Sequence, residues 1–344
     1  MAGRGTAHLR DASDPVLSVR NLVVQYTTAR GEKVHAVSDV SFDALRGETV
    51  GLVGESGCGK SSLAKAIMQL PPPTSGVVDL DGENIAGMKP AKMRKRRRKL
   101  QMIFQDPISS LNPRRKVKDI VAEGLRIQGG MSAQEITART RSVIESVGLD
   151  PDTALEKRPH EFSGGQCQRI SIARAMVLDP QILVCDEPVS ALDVSVQAQT
   201  MNLLEDMKAR YNLTMLLIAH DLAVVKNLSD RIIVMYLGKI CEVGEADDLF
   251  AAPAHPYTRA LAQSIPEPDP DAKLEEPALS GDLPSPLNPP SGCRFRTRCP
   301  IAREECAREE PKIREVRPGR FVACHFPLDP PEAFASVTER SITV

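Results

Sequence analysis

Gly54-Glu55-Ser56-Gly57-Cys58-Gly59-Lys60-Ser61 constrains the fold of this chain more than any other stretch. It fits the pattern Gly-x4-Gly-Lys-Ser/Thr, follows the apolar run Glu48–Val53 and opens the helical pattern Lys60–Leu70. Strand, glycine loop and helix in that order form a phosphate cradle. The glycines let backbone N–H groups point into one cavity, and the helix start adds its partial positive charge. Lys60 is expected to neutralise the β- and γ-phosphates of a nucleotide, and the Ser61 hydroxyl to ligate Mg²⁺. The rest of the loop and Ser62 complete the expected phosphate contacts. Cys58 reads as a small filler. Such a loop needs a parallel strand in front of it, so the chain is committed to an α/β fold.

The remaining pattern agrees. Val16–Tyr26 alternates like a sheet strand, while Gln181–Cys185 and Thr214–Ile218 are continuous apolar runs suited to central strands covered on both faces. Gln166–Leu178 and Val194–Tyr211 read as helices, and Lys116–Gly148 as a helical insertion between two strand-rich halves. The 344 residues are 42% hydrophobic, which excludes global disorder and suggests one large domain with an appendage. A net charge of −1 excludes a polycation built for nucleic acid. Eight of the eleven residues of Lys89–Lys99 are basic, and this run reads as a solvated helix. No apolar stretch reaches the roughly 18–20 residues that span a bilayer. Met1–Pro15 is polar, is expected to be disordered and lacks the apolar centre of a signal peptide. A cytosolic chain with reduced thiols is expected.

Two further segments carry chemistry. Ile182-Leu183-Val184-Cys185-Asp186-Glu187 is an apolar strand ending in two acids, at the strand end where ligands sit in an open α/β sheet. Asp186 is placed for the magnesium shell, and Glu187 to polarise a water aimed at the γ-phosphate. Phe162-Ser163-Gly164-Gly165-Gln166 opens a helix and forms a second anion site.

Two phosphate-binding helix starts in one chain are unusual, and here the sequence resembles the ATP-binding subunits of ABC transporters. Their LSGGQ signature matches 162–166, with Phe162 replacing the leucine. Gln105, in Gln101–Pro107, matches the Q-loop glutamine, which also reaches Mg²⁺. Ser190-Ala191-Leu192-Asp193 looks like the D-loop. His220 looks like the switch histidine that touches the γ-phosphate, and Tyr26 stands where the family stacks a ring on adenine. Glu187, His220 and Gln105 are then the catalytic set. Cys167 departs from the arginine common at its position. The resemblance covers roughly residues 16–250. It implies a RecA-like core with an antiparallel β subdomain and a helical subdomain over about 106–178. ATP would lie between two such domains head to tail, with the Ser163–Gln166 segment and Asp193 of one facing the phosphate loop of the other.

The tail differs from the body. Sixteen of 27 prolines lie from Pro253 onward, and four of eight cysteines from Cys293 onward. His255-Pro256-Tyr257 and the Pro-rich stretch form a linker over 251–292, followed by a Cys-rich extension over 293–344. The spacing Cys293-x5-Cys299-x6-Cys306-x17-Cys324 lacks the short pair usual for zinc. It fits a 4Fe–4S cluster better, with zinc or unliganded thiols as alternatives. Arg294, Arg296 and Arg298 would offset the charge of the thiolates. This tail is similar to that of the oligopeptide and dipeptide importer branch, and the chain looks like its F-type subunit. That implies two integral membrane permease subunits, a second ATPase chain of the D type, an extracytoplasmic substrate-binding protein and a peripheral place on the cytoplasmic face of the membrane. A soluble ABC ATPase of DNA repair or translation, and a redox-regulated ATPase, are the rival readings.

Overall fold

The computed structural model describes residues 5–10, 13–190, 192–219, 222–264 and 281–329. β1 (Leu17–Thr27) and β2 (Lys33–Ala44) form a long antiparallel hairpin, and β3 (Thr49–Val53) runs into the glycine loop and α1 (Lys60–Ile67). β4 (Ser75–Leu80), β5 (Glu83–Asn84), α2 (Pro90–Arg96) and β6 (Leu100–Ile103) follow. The helical insertion comprises α3 (Pro107–Ser110), α4 (Val117–Gln128), α5 (Ala133–Ser146), α6 (Pro151–Ala154) and α7 (Gly164–Met176). The second half runs β7 (Ile182–Asp186), α8 (Val194–Tyr211), β8 (Thr214–Ile218), α9 (Leu222–Leu228), β9 (Arg231–Tyr236), β10 (Lys239–Glu245), α10 (Ala246–Ala251) and α11 (Pro256–Gln263). The tail adds α12 (Glu304–Arg308), β11 (Arg314–Arg317) and β12 (Arg320–Val322).

Two sheets result. A small antiparallel one has the order β2-β1-β4-β5, and a large mixed one the order β11-β12-β10-β9-β3-β8-β7-β6. Its centre, from β9 to β6, is parallel. The central strands are buried on both faces because their side chains alternate between two cores. Ile182 and Val184 join the first cluster, with α1 and the small sheet. Leu183 and Cys185 join the second, with the helical insertion, α7 and α8. A third cluster joins β9, β10 and α11 to Phe295 of the tail.

Three differences from the sequence reading stand out. Within 1–15, residues 5–10 are packed rather than disordered. His8 is 2% exposed, and Arg10 pairs with Asp43 at 2.9 Å and Glu48 at 2.6 Å. The tail, read from the sequence only as a Cys-rich extension, adds two strands to the main sheet, since β12 pairs antiparallel with β10, placing Glu242 opposite Val322. Glu242 is fully buried and accepts hydrogen bonds from Arg320, from the Ala254 N–H at 3.0 Å and from the His255 N–H at 2.8 Å. The interleaved arginines do not serve thiolates. Arg294 donates to the Leu237 carbonyl, Arg296 to the Ser291 carbonyl at 2.9 Å, and Arg298 to Glu55. The basic run is largely exposed, and Arg96 and Lys99 pair with Glu83 and Asp81.

Candidate active site

The site lies at the carboxyl ends of β3 and β7. Gly54, Gly57 and Gly59 take φ values of +150°, +81° and +108°, conformations that an L side chain resists. At Gly59 a Cβ would stand 2.2 Å from the Ala36 carbonyl oxygen, and at Gly54 the same distance from that of Met235. The loop is therefore seated against β2 on one side and the β9–β10 turn on the other. α1 starts without a side-chain cap, which leaves first-turn N–H groups available to an anion. Lys60 is 5% exposed, and its ammonium donates to the carbonyls of Gly54 at 2.6 Å and Glu55 at 3.1 Å. Cys58 is wholly buried, as a filler should be, and its carbonyl accepts from the Gly238 N–H at 2.7 Å.

Across the loop, the Ser61 hydroxyl donates to Asp186 Oδ1 at 2.8 Å, so two of the three expected magnesium ligands already touch. Burial pushes the Asp186 carboxyl up, and the Ser61 hydroxyl, Lys65 and Lys60 pull it back. Next to it, Glu187 holds a left-handed φ of +48°. Strained non-glycine backbone of this kind collects at functional positions. Gln105 Nε2 donates to Glu187 Oε2 at 2.8 Å, which brings together two of the residues expected to form the catalytic set. Gln105 is steadied from behind, because Asp106 caps α3 by accepting from the N–H groups of Ile108 and Ser109. His220 lies outside the described residues, as does Ala191.

The segment expected to form the second anion site is a capped helix start at the surface. Ser163 and Gln166 make a reciprocal capping box at the start of α7, with distances of 3.3 and 3.0 Å. A Cβ on Gly165 would stand 2.5 Å from Val196 of α8, so a glycine there permits the close approach of the two helices. Ser163, Gln166 and Asp193 are exposed. Cys167 is buried in the second cluster, and its Sγ approaches the Pro159 carbonyl at 3.4 Å. Tyr26 is half-buried against the first cluster in β1.

In the tail, Cys293, Cys299, Cys306 and Cys324 line one small cavity together with His255, Phe295 and Ile301. Burial pushes the Cys293 thiol up to about 11 and that of Cys324 up to about 12. Among the described residues no three His, Cys, Asp or Glu side chains are grouped to hold a metal ion. The cysteines thus converge on one cavity without forming an assembled ligand set. His255 is wholly buried and held neutral, its imidazole driven down to about 3. Its Nδ1 accepts from the Tyr257 N–H at 3.0 Å and so caps α11.

Sequence reasoning missed the way these two regions meet. The Tyr257 hydroxyl accepts the Glu55 N–H at 2.8 Å, across 202 residues of chain. Arg298 forks onto Glu55 Oε2 at 2.6 Å and Oε1 at 3.0 Å, across 243 residues. The only hint in the sequence was an acid in the loop and an arginine between two cysteines.

A strand–loop–helix phosphate site facing an acidic strand end, with a signature helix beside it, defines a P-loop ATPase of the ABC type. Residues 37–190 match the ABC transporter family, and residues 241–306 match the oligopeptide/dipeptide transporter C-terminal region. The chain is 54% identical, over 90% of its length and 97% of the relative's, to a Brucella ovis protein named as a candidate peptide import ATP-binding protein. It is 50% identical, over 92% and 97%, to the oligopeptide transport ATP-binding protein OppF of Escherichia coli. Among solved structures it is similar to the dimeric, post-hydrolysis ATP-binding cassette MJ0796 bound to ADP and Pi. That match has a TM-score of 0.61 and 29% identity, and covers 67% of this chain and 98% of the other. A cbiO1 cassette from Clostridium perfringens gives the same TM-score at 28% identity, over 69% and 91%. The chain belongs to the ATP-hydrolysing subunits of ABC transporters, in the branch that carries the oligopeptide/dipeptide C-terminal region.

Proposed function

We propose that this chain powers peptide import by closing on a second ATPase subunit when ATP binds and reopening after hydrolysis. The observation that carries this reading is the joining of a phosphate-loop site to the oligopeptide/dipeptide transporter C-terminal region in one chain. Lys60 and the loop N–H groups bind the β- and γ-phosphates, with Gly54 to Ser62 lining them. Ser61, Asp186 and Gln105 hold Mg²⁺, which supplies charge neutralisation as the phosphoryl bond breaks. Glu187 orients and deprotonates the attacking water, and Gln105 holds Glu187 in place. His220 contacts the γ-phosphate and Tyr26 stacks on adenine. Ser163, Gly164, Gly165, Gln166 and Asp193 act on the partner's nucleotide, in keeping with the exposure of Ser163, Gln166 and Asp193.

The partners in this reading are two permease subunits, a D-type ATPase chain and, through the permease, an extracytoplasmic binding protein. Among the described residues no helix is long and apolar enough to cross a membrane, which suits a peripheral place on the cytoplasmic face. Phe104 and Ile108, which flank Gln105, are 37% and 61% exposed and offer an apolar contact to a permease loop. The Cys293, Cys299, Cys306 and Cys324 spacing is the ground for reading a 4Fe–4S cluster in the tail, with zinc as the alternative. Metal and sulfide analysis of anaerobically purified chain decides between them.

The experiment for the catalytic assignment is Glu187→Gln. The variant is expected to bind MgATP as the wild type does and to lose turnover by about 100-fold or more, because the water loses its base. Phosphate release near the wild-type rate would refute the role given to Glu187.

A further inference from the structure

The structure assigns to the tail a second task, in addition to any transporter role: we propose that Arg298 and Tyr257 are positioning residues that hold the phosphate loop in its nucleotide-binding shape through Glu55. Every polar group of Glu55 is engaged. Its N–H goes to the Tyr257 hydroxyl at 2.8 Å, its carbonyl receives the Lys60 ammonium at 3.1 Å, and its carboxylate takes the Arg298 fork. Glu55 is thus the residue at which the tail and the phosphate-binding lysine meet. The contact is shielded from water on the arginine side, where the Arg298 side chain is only 6% exposed against 27% for Glu55. A bidentate pair of this kind fixes direction as well as distance.

The support behind it is stiff. Tyr257 and Tyr236 pack edge-on with ring centroids 4.8 Å apart, Phe295 stands 5.1 Å from Tyr236, and the Arg298 guanidinium lies over the Tyr236 ring. Tyr257 and Phe295 are fully buried. The tail also reaches the loop from a third direction. The Pro286 carbonyl accepts the His35 N–H of β2 at 2.9 Å, and a Cβ on Gly57 would stand 3.7 Å from Leu283. An aromatic block rooted in β9, α11 and the tail therefore presents a hydroxyl and a guanidinium to the far side of the loop. The loop's own bonds to Glu55, from the Lys60 ammonium and the Cys58 N–H, reach only its carbonyl, so the Glu55 carboxylate and N–H are held by the tail side alone among the described contacts.

This inference rests on the reading of Gly54–Ser61 as the phosphate site, and the test separates the two. The MgATP dissociation constant of the full-length chain is measured by calorimetry, and the thermal midpoint is recorded for each variant. Tyr257→Phe keeps the ring and removes only the hydroxyl. Arg298→Met keeps the stem over Tyr236, and Glu55→Gln removes the charge from the other side. Each is expected to weaken MgATP binding about three- to tenfold. The double variant Glu55→Gln/Arg298→Met should be no weaker than the worse single one, because both break one contact. Arg298→Lys should recover only part of the loss, since an ammonium cannot fork. Lys60→Ala is the control. If it binds MgATP normally, the phosphate-site reading itself fails. If Lys60→Ala loses binding while the three variants bind like the wild type, or if Glu55 and Arg298 effects add, the positioning role is overturned. A lowered thermal midpoint with unchanged affinity would also overturn it, since that marks a purely structural contact.

Discussion

Glu187 and Gly59 show how backbone conformation, more than side-chain identity, builds this site. Both have positive φ, +48° and +108°, the first in a residue that resists it and the second in one that does not. At Gly59 the added Cβ would meet a backbone carbonyl, which cannot swing aside as a side chain can. Gly59→Ala is expected to abolish MgATP binding and to lower stability by at least about 1 kcal/mol, read by calorimetry and thermal melting. Wild-type affinity in that variant would mean that the loop tolerates a different path. Most of the site's residues were legible in the sequence because loop, strand end and signature each lie within a few consecutive positions. Arg298 and Tyr257 were not, because the residue they serve is more than 200 positions away.

At the scale of elements, the strands and long helices followed from periodicity. Val194–Tyr211 and Thr214–Ile218 form as the pattern predicts, and α7 begins two residues before its predicted start. α7 has a weakly amphipathic sequence, since it is buried on several sides, so its start depends on local chemistry rather than on a hydrophobic stripe. The Ser163–Gln166 box supplies that chemistry. Ser163→Ala removes one capping bond and is expected to cost about 1 kcal/mol of stability. ATPase activity of the assembled pair should fall much further than this modest loss implies, because in the proposed function the same hydroxyl contacts the partner's nucleotide. A melting shift without an activity defect would assign Ser163 to capping alone. The two tail strands escaped prediction because β11 and β12 are four and three residues long. Strands that short carry no readable alternation.

The whole molecule is tied together by buried charge and by contacts of residues 5–10 and of the tail strands. Arg231 bridges Glu48 at 3.0 Å and Asp43 at 3.3 Å, and Arg10 reaches the same two acids from the N-terminal segment. Beside this network, His8 Nε2 meets the Ser41 carbonyl at 2.6 Å and the ring stands 6.3 Å from Phe321 of β12. N-terminus, β2 and tail therefore converge on one imidazole. Burial lowers its pKa, with nearby Arg231 adding to the shift and the Ser41 carbonyl and Asp43 opposing it. The folded chain keeps His8 neutral, whereas the unfolded chain takes up a proton below about pH 6.5. Stability from this group is thus complete above that pH and is lost as the pH falls toward the depressed folded value. The thermal midpoint should drop on acidification from pH 7.5 to 5.5, and His8→Gln should flatten part of that slope. An unchanged slope would show that His8 is not the sensing group. The sequence by itself determined the ATPase body, because a phosphate loop, an acidic strand end and a signature helix are local motifs whose chemistry requires adjacent residues. Only the tertiary structure decided that the N-terminal segment is packed, that the tail extends the main sheet, and that the tail grips the phosphate loop. Those contacts join segments far apart in the chain, and their partners are chosen by burial and geometry rather than by spacing.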